Sequence, residues 1–416
     1  MYLIPVPVPI IVRGSDRCVA SEWKRALLLL RDSLGGRYGD LLVAAPWVTE
    51  DDPLVRGQAM DGFSKDDGVV LEPLFPAHSR TRNFWTRDIS GVTKRLTALV
   101  SEANVVHASL DELFRPMTEL AFLFAVRAQK PTVFVQDTDI AVQIVELEHG
   151  RRAATYAWAF EKICRASVRR ADLTLLKGKA LMDRYAPHAK NARKFQNTSY
   201  QLSEVVDAER VEARLATIHG ERPLRFVYCG RLVARKGLAD SLSILERVRG
   251  RGGNVTLDVI GSGEEESALR SQVERARLAD AVHFHGALPY GAELLRRLAE
   301  FDAILFTPTA EDTPRMIFDG YAAGLPLVAS GIPYVKERAD EERATVLLPR
   351  GDLDAAAERV LRLCRNRSEL VELTRAAVAV ARHNAADAWY ARRAEWTHEA
   401  VSNARQTRRS QPPTIR

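Results

Sequence analysis

The chain is 416 residues long, 46% hydrophobic and 27% charged, a composition that excludes a disordered, collagen-like or coiled-coil chain. At ordinary domain sizes this length makes two or three domains, each able to bury its own core. Sixty Lys and Arg stand against 54 Asp and Glu, a net +6 spread along the sequence, which suits an anionic small substrate or a membrane surface at least as well as nucleic acid.

The opening MYLIPVPVPIIVRG has no basic leader and carries Pro5, Pro7 and Pro9, so it reads neither as a signal peptide nor as one regular central strand. Helix Ser21 to Leu34 follows, then strand LLVAAPWV (41–48). Residues 49–95 are the least regular stretch. After them come strand NVVHA (104–108), helix Glu112 to Gln129, and strands TVFVQ (132–136) and LTLL (173–176).

The second half alternates more cleanly. Strands RFVYC (225–229), VTLDVI (255–260), VHFH (282–285), AILF (303–306), PLVAS (326–330) and TVLL (345–348) are separated by helical patterns such as Asp240 to Arg249 and Ser267 to Leu278. Continuously apolar strands joined by helices predict a parallel sheet covered on both faces. The expected architecture is α/β: two doubly wound Rossmann-type domains facing each other across a cleft at the carboxyl ends of their strands. We expect an N-terminal domain over 1–210, a C-terminal domain over 222–385, a helix over 386–403 packing back on the N-terminal domain, and a disordered tail over 404–416. Cys18, Cys164, Cys229 and Cys364 are widely spaced without a CxxC pair, as in a reducing, cytoplasmic compartment. No stretch approaches the ~18 apolar residues of a membrane span.

Three segments carry chemistry. In YCGRLVARKG (228–237) a strand ends, Gly230 permits an unusual turn, and Arg231 and Lys236 follow five residues apart; such a pair could clamp a diphosphate, although this segment alone favours two surface cations. In TPTAEDTPRMIFDGYAAGLPLV (307–328), Thr313 is an N-cap candidate, Pro314 fits N1 and Gly324 fits the left-handed C′ position. The backbone donors of Arg315, Met316 and Ile317 would then face an anion. Glu311 and Asp319 could accept hydrogen bonds from sugar and ribose hydroxyls; the bland alternative is a capped core helix with two solvated acids. VIGSGEEE (259–266) is a tight loop around Gly263 whose three Glu disfavour a phosphate there. His283 and His285 lack further ligands, so no metal is expected.

In this order GRLxxxKG, VIGSGEE, VHFHG and an acid-x7-acid helix ending AAGLPLVAS resemble the retaining GT-B glycosyltransferases of family 4, glycosyl transferases group 1. The resemblance is strong over roughly 222–385 and lies mainly in strand layout over 40–200. It implies transfer of a sugar from a nucleoside-diphosphate sugar to a saccharide, a lipid-linked saccharide or a small molecule, with retention at the anomeric carbon. Arg231 and Lys236 would hold the diphosphate. Glu311 would stand beside the transferred sugar, and Asp319 would take the ribose where the family usually has Glu. No cofactor is implied, since the nucleotide sugar is a substrate, and no metal, since cations and a helix start can face the leaving oxygen.

Two departures fall in the N-terminal half, on the acceptor side. Where the family carries a Gly-rich loop after the first strand, PVPIIVRGSDR offers only Gly14. Where it carries a His after the strand matching TVFVQ, Gln136 and Asp137 stand. These departures leave open a binding protein that holds a nucleotide sugar without turning it over. A nucleotide-sugar isomerase is the third reading, without acid/base residues that the sequence places. Nucleic acid is not expected as a partner, because no basic stripe or aromatic RNA platform is visible. SEWKRALLLLRDSLGGR (21–37) and RTRNFWTRDISGVTKR (80–95) mix apolar and basic residues as a peripheral contact with an anionic membrane would require.

Overall fold

A computed structural model describes residues 1–55 and 59–410. The chain forms two units: Met1–Gln196 with the chain from Asp387 onward, and Asn197–Ala386.

In the first unit the strands are β1 (Tyr2–Pro5), β2 (Ile10–Arg13), β3 (Asp16–Ala20), β4 (Leu41–Thr49), β5 (Met60–Gly62), β6 (Val69–Pro76), β7 (Val105–Ser109), β8 (Thr132–Gln136), β9 (Leu173–Lys177) and β10 (Ala192–Phe195). β10-β9-β8-β7-β1-β4-β6 form a parallel sheet. The prolines divide the opening run in two. β1, buried at every position, is a central strand between β4 and β7, and β2 lies further along the same edge of β4. Between them Val6 N–H still donates to Ala44 O at 3.0 Å. β2 then turns back through Gly14 and Ser15 into antiparallel β3.

Within the irregular 49–95 stretch the structure contains strand β6, whose Pro73 and Pro76 are tolerated because β6 pairs only with β4. The helix expected from Glu112 begins at Met117, preceded by Pro116; Arg115 is drawn aside to Glu112 and to the Ala77 carbonyl. The C-terminal helix runs over Ala386–Ser410, so 404–410 are helical and not a disordered tail. Its far end is held: Ala404 is buried, and Arg408 reaches Asp172 at 2.7 Å. His398 pairs with Tyr38 at 2.8 Å, also in the first unit. Residues 411–416 of the expected tail lie outside the described residues.

The second unit contains β11 (Leu224–Cys229), β12 (Val255–Ile260), β13 (Val282–Gly286), β14 (Ala303–Phe306), β15 (Leu327–Ser330) and β16 (Thr345–Leu348), all parallel in the order β13-β12-β11-β14-β15-β16. It begins at Asn197, earlier than the boundary expected between 210 and 222. Tyr200 is fully buried in its core and donates to Ala381 O at 2.9 Å, and Val206 N–H donates to Ala322 O at 2.7 Å. Among the described residues no helix is long and apolar enough to cross a membrane, and the four cysteines are free thiols.

Each sheet is doubly wound. In the second unit the winding reverses between β11 and β14, and in the first between β1 and β7. Ligands of such sheets bind at the carboxyl ends of the strands flanking the reversal.

Candidate functional site

At the reversal of the second unit, three loops are sewn together by their backbones. After β11, residues 230–237 pass through one 3-10 turn, Ala234–Lys236, into helix Leu238–Gly250. After β14, Thr307 Oγ1 donates to Gly237 O at 2.6 Å and shares a hydrogen bond with Ser241 Oγ at 2.7 Å, while Thr309 N–H donates to Arg235 O at 3.1 Å. Gly237 has φ +69°, and a Cβ there would lie 1.7 Å from Thr307 O, so this join requires glycine. After β12, Leu232 N–H donates to Ser262 O at 2.9 Å and Glu265 N–H to Leu232 O at 3.0 Å. A Cβ on Gly263 would stand 2.3 Å from Leu232 O. Gly263 therefore lets two loops touch.

The expected residues gather here in different settings. Arg231 is exposed. Lys236 is only 9% exposed, and its Nζ bonds Asp312, a residue absent from the sequence reading. Arg235 Nη1 reaches the same carboxylate at 3.1 Å. Burial holds the Lys236 ammonium below its ordinary pKa, with Asp312 offsetting part of that shift. Burial raises Asp312, but the two cations outweigh it and its carboxyl sits below the usual range.

Glu311 is 4% exposed, and its charge reaches the buried Tyr334 hydroxyl. Asp319 is buried and accepts from Tyr290 OH at 3.0 Å, another partner the sequence did not signal. Arg315 Nη1 donates to Ser199 Oγ at 3.2 Å. Met316 and Ile317 are buried in the core, so their contribution to a site comes from backbone.

The helix here spans Met316–Ala322, with Arg315 as its cap residue and no side-chain cap, in place of the expected Thr313 cap and Pro314 at N1. Asp312 accounts for the difference: pinned by two cations, its Oδ1 accepts from Thr313 N–H at 3.0 Å and keeps 311–314 in the loop.

The reversal of the first unit is chemically different. Ser109 Oγ donates to Asp111 Oδ2 at 2.6 Å, and Asp111 N–H donates to Glu119 Oε1 at 3.0 Å. Burial pushes Asp111 up to about 6, with Asp137 adding to it, and Glu119 up to about 8. Gln136 closes β8, 3% exposed; Nε2 donates to Thr138 O at 3.0 Å, and Oε1 has no hydrogen-bond partner among the described residues. Asp137 beside it is exposed. Gly14 belongs to the exposed turn between β2 and β3 and not, as expected, to the loop after the first central strand, which is Val6–Pro9 and contains no glycine.

Of the two candidate membrane segments, Ser21–Leu34 is a packing helix that buries Leu27, Leu30 and Leu34. The other presents Trp85, 49% exposed, with Nε1 donating to Phe114 O at 2.9 Å. Among the described residues no three His, Cys, Asp or Glu side chains gather as a metal site.

Residues 223–366 match the family described as Glycosyl transferases group 1. The amylovoran biosynthesis glycosyltransferase AmsK of Erwinia amylovora is 30% identical over 164 residues, 38% of this chain and 40% of that protein. Glycogen synthase of Mycobacterium tuberculosis is 34% identical over 110 residues, 26% of each. The chain thus matches less than half the length of these curated relatives. Among solved structures, Anabaena Alr3699/HepE in complex with UDP-glucose superposes with a TM-score of 0.64 at 15% identity, covering 96% of this chain and 99% of that one. Sucrose-phosphate synthase of Thermosynechococcus elongatus gives 0.67 at 14% identity, covering 99% of both. At these identities the likeness is one of fold. The chain has the GT-B fold, and residues 223–366 of its C-terminal unit are similar to the glycosyl transferases group 1 family.

Proposed function

We propose that this protein is a glycosyltransferase that moves a hexosyl group from a nucleoside-diphosphate sugar to an acceptor hydroxyl with retention of anomeric configuration. The observation that carries the reading is the cation set at the reversal of the second unit: Arg231 exposed and Lys236 buried, with Glu311 and Asp319 on the loop and helix that follow β14. A diphosphate leaving group develops negative charge as its bond to the sugar lengthens, and preorganised cations stabilise that charge more in the transition state than in the ground state. The anomeric carbon's bond to the diphosphate oxygen breaks, a bond to the acceptor oxygen forms on the same face, and the acceptor proton passes to the departing phosphate. Glu311 lies beside the sugar in this scheme, and Asp319, oriented by Tyr290, takes the ribose.

The cations and the backbone of 315–317 face the leaving oxygen without a metal, so transfer is expected to survive chelation. Gln136 and Asp137 are the acceptor-side residues of this reading. The acceptor is a saccharide, a lipid-linked saccharide or a small molecule, as in polysaccharide biosynthesis. Nucleic acid has no part in it. The working compartment is the cytoplasm, with peripheral contact to an anionic membrane through Trp85 and the exposed Arg80, Arg82 and Arg87; failure to sediment with anionic vesicles at low salt removes that contact.

HepE complexes with UDP and with UDP-glucose make uridine the first base to try. The test is a thermal-shift titration with UDP, GDP, ADP, dTDP and CDP, repeated on Arg231→Ala. A ligand at about a hundred times its Kd adds ~2.7 kcal/mol of stability. One nucleotide should stabilise the wild type and stabilise the variant less; stabilisation by none of the five ends the reading. Gln136 in place of the family's His favours one alternative, a protein that binds a nucleotide sugar without turnover. Release of UDP from UDP-sugar with an added acceptor disposes of it.

A further inference from the structure

Arg235 and Lys236 are consecutive residues of one 3-10 turn, yet both cations converge on a single carboxylate, Asp312, in the loop after β14. Asp312 is 7% exposed and Lys236 9%. An ion pair this deep carries a desolvation cost that its attraction only partly offsets, and Lys236 accordingly stays below the ordinary lysine pKa even with Asp312 in place. The other charges felt by Lys236 are Arg235 and Arg231, which push its proton off. The Phe306 ring, 5.8 Å from Nζ, cannot replace a carboxylate as proton-holding partner. Of the remaining neighbours, the Tyr228 hydroxyl donates to Arg231 O, and Glu311 precedes Asp312 in the same loop.

We propose that Asp312 is a positioning residue for the donor site: it is the internal counter-ion that keeps Lys236 protonated and aimed while no diphosphate is bound, and it competes with the diphosphate for Arg235 and Lys236. This rests on the donor-site reading above and adds a residue to it. Two effects of opposite sign follow from one carboxylate. Removing its charge leaves a more positive cluster for an anionic ligand. Removing its hold lets Lys236 lose a proton more readily, and a neutral amine gives a phosphate little attraction.

The experiment compares the full-length wild type with Asp312→Asn and Asp312→Glu in two ways. The first is UDP affinity by calorimetry from pH 6 to 9.5. The second is Lys236 titration in ligand-free protein, by NMR after reductive ¹³C-methylation and assignment with Lys236→Arg. We expect Asp312→Asn to bind UDP about threefold to tenfold more tightly at pH 6.5. Its affinity should then be lost at a pH about one unit or more lower than in the wild type, with Lys236 titrating lower by a like amount. Transfer at saturating donor should fall at least about tenfold, because the ammonium is no longer aimed. Asp312→Glu keeps a carboxylate and should return the wild-type pH profile at reduced turnover, a rescue that loss of fold would not produce.

Parallel affinity profiles and an unmoved Lys236 titration in Asp312→Asn overturn the proposal. If the Asn variant fails to fold, the Glu variant decides: a downward-shifted profile there overturns it too. If the wild type binds no nucleoside diphosphate, the donor-site reading falls, and the Lys236 titration in ligand-free protein still decides whether Asp312 holds its proton.

Discussion

The two units wind their sheets the same way and place opposite chemistry where the winding reverses. In the C-terminal unit the loops after β11 and β14 bring Arg235 and Lys236 to one carboxylate, Asp312, with Arg231 close enough for its charge to act on Lys236. In the N-terminal unit the loop after β1 is proline-stiffened Val6–Pro9, and the loop after β7 carries Asp111 on Ser109 with Glu119 buried behind it. Both folds supply a crevice; the residues just past the strand ends decide what enters it. A cluster of cations partly neutralised from within suits a diphosphate. An ionised Asp111 that accepts beside a Glu119 that burial keeps largely protonated suits hydroxyl groups, which both donate and accept.

The largest effect that sharpens this contrast is expected at Lys236. Lys236→Ala removes a charge from the proposed leaving-group side and should lower kcat/KM by about 10²–10³. It also leaves the buried Asp312 with Arg235 alone, at a cost of about 3 kcal/mol of stability. Steady-state kinetics with a denaturant melt separates the two losses. Wild-type transfer by this variant would remove the cationic half of the comparison.

Glu119 tests the other half through pH. In the unfolded chain its carboxyl releases a proton near 4.5, whereas in the folded unit it keeps it to about 8. Between those values the folded state binds more protons, so stability falls as pH rises, by up to about 1.4 kcal/mol per pH unit for one such group. Asp111, held to about 6, adds in the same direction at the acidic end of the window. Glu119→Gln imitates the protonated acid and should flatten the Tm-against-pH curve of the full-length protein between pH 6 and 8. Equal slopes in both proteins would mean that burial is not holding this proton.

The C-terminal unit was the more legible in sequence because strands covered on both faces are written as apolar runs; VTLDVI at 255–260 is a strand over those same residues. Arg231, Lys236, Glu311 and Asp319 were legible for a related reason, since residues just past such runs lie at the ligand end of the sheet. Asp312 was not, because two adjacent acids give no sign of which one turns inward to a lysine 76 positions away. β6 was hidden by its own prolines, which argue against a strand unless one edge is unpaired, and pairing is not visible in a linear sequence. The last turns of the C-terminal helix were hidden similarly: an Arg-rich stretch ahead of two prolines reads as solvated until Asp172 is found to receive Arg408.

Gly14 gives the smallest expected effect and the finest test of where the N-terminal crevice lies. It sits at φ +58° in an exposed turn, and a Cβ there would meet nothing within 4 Å. Gly14→Ala therefore incurs only the left-handed backbone penalty, about 1 kcal/mol. The β2–β3 hairpin projects from the carboxyl half of β4, past the end of β1, and the reversal loops Val6–Pro9 and 110–116 do not include it. Transfer should stay within about twofold of wild type once stability is corrected for, as for a surface site remote from chemistry. A tenfold loss of transfer without a matching loss of Tm would make the hairpin part of the acceptor wall, and the crevice of this unit would then extend beyond the strands that flank its reversal.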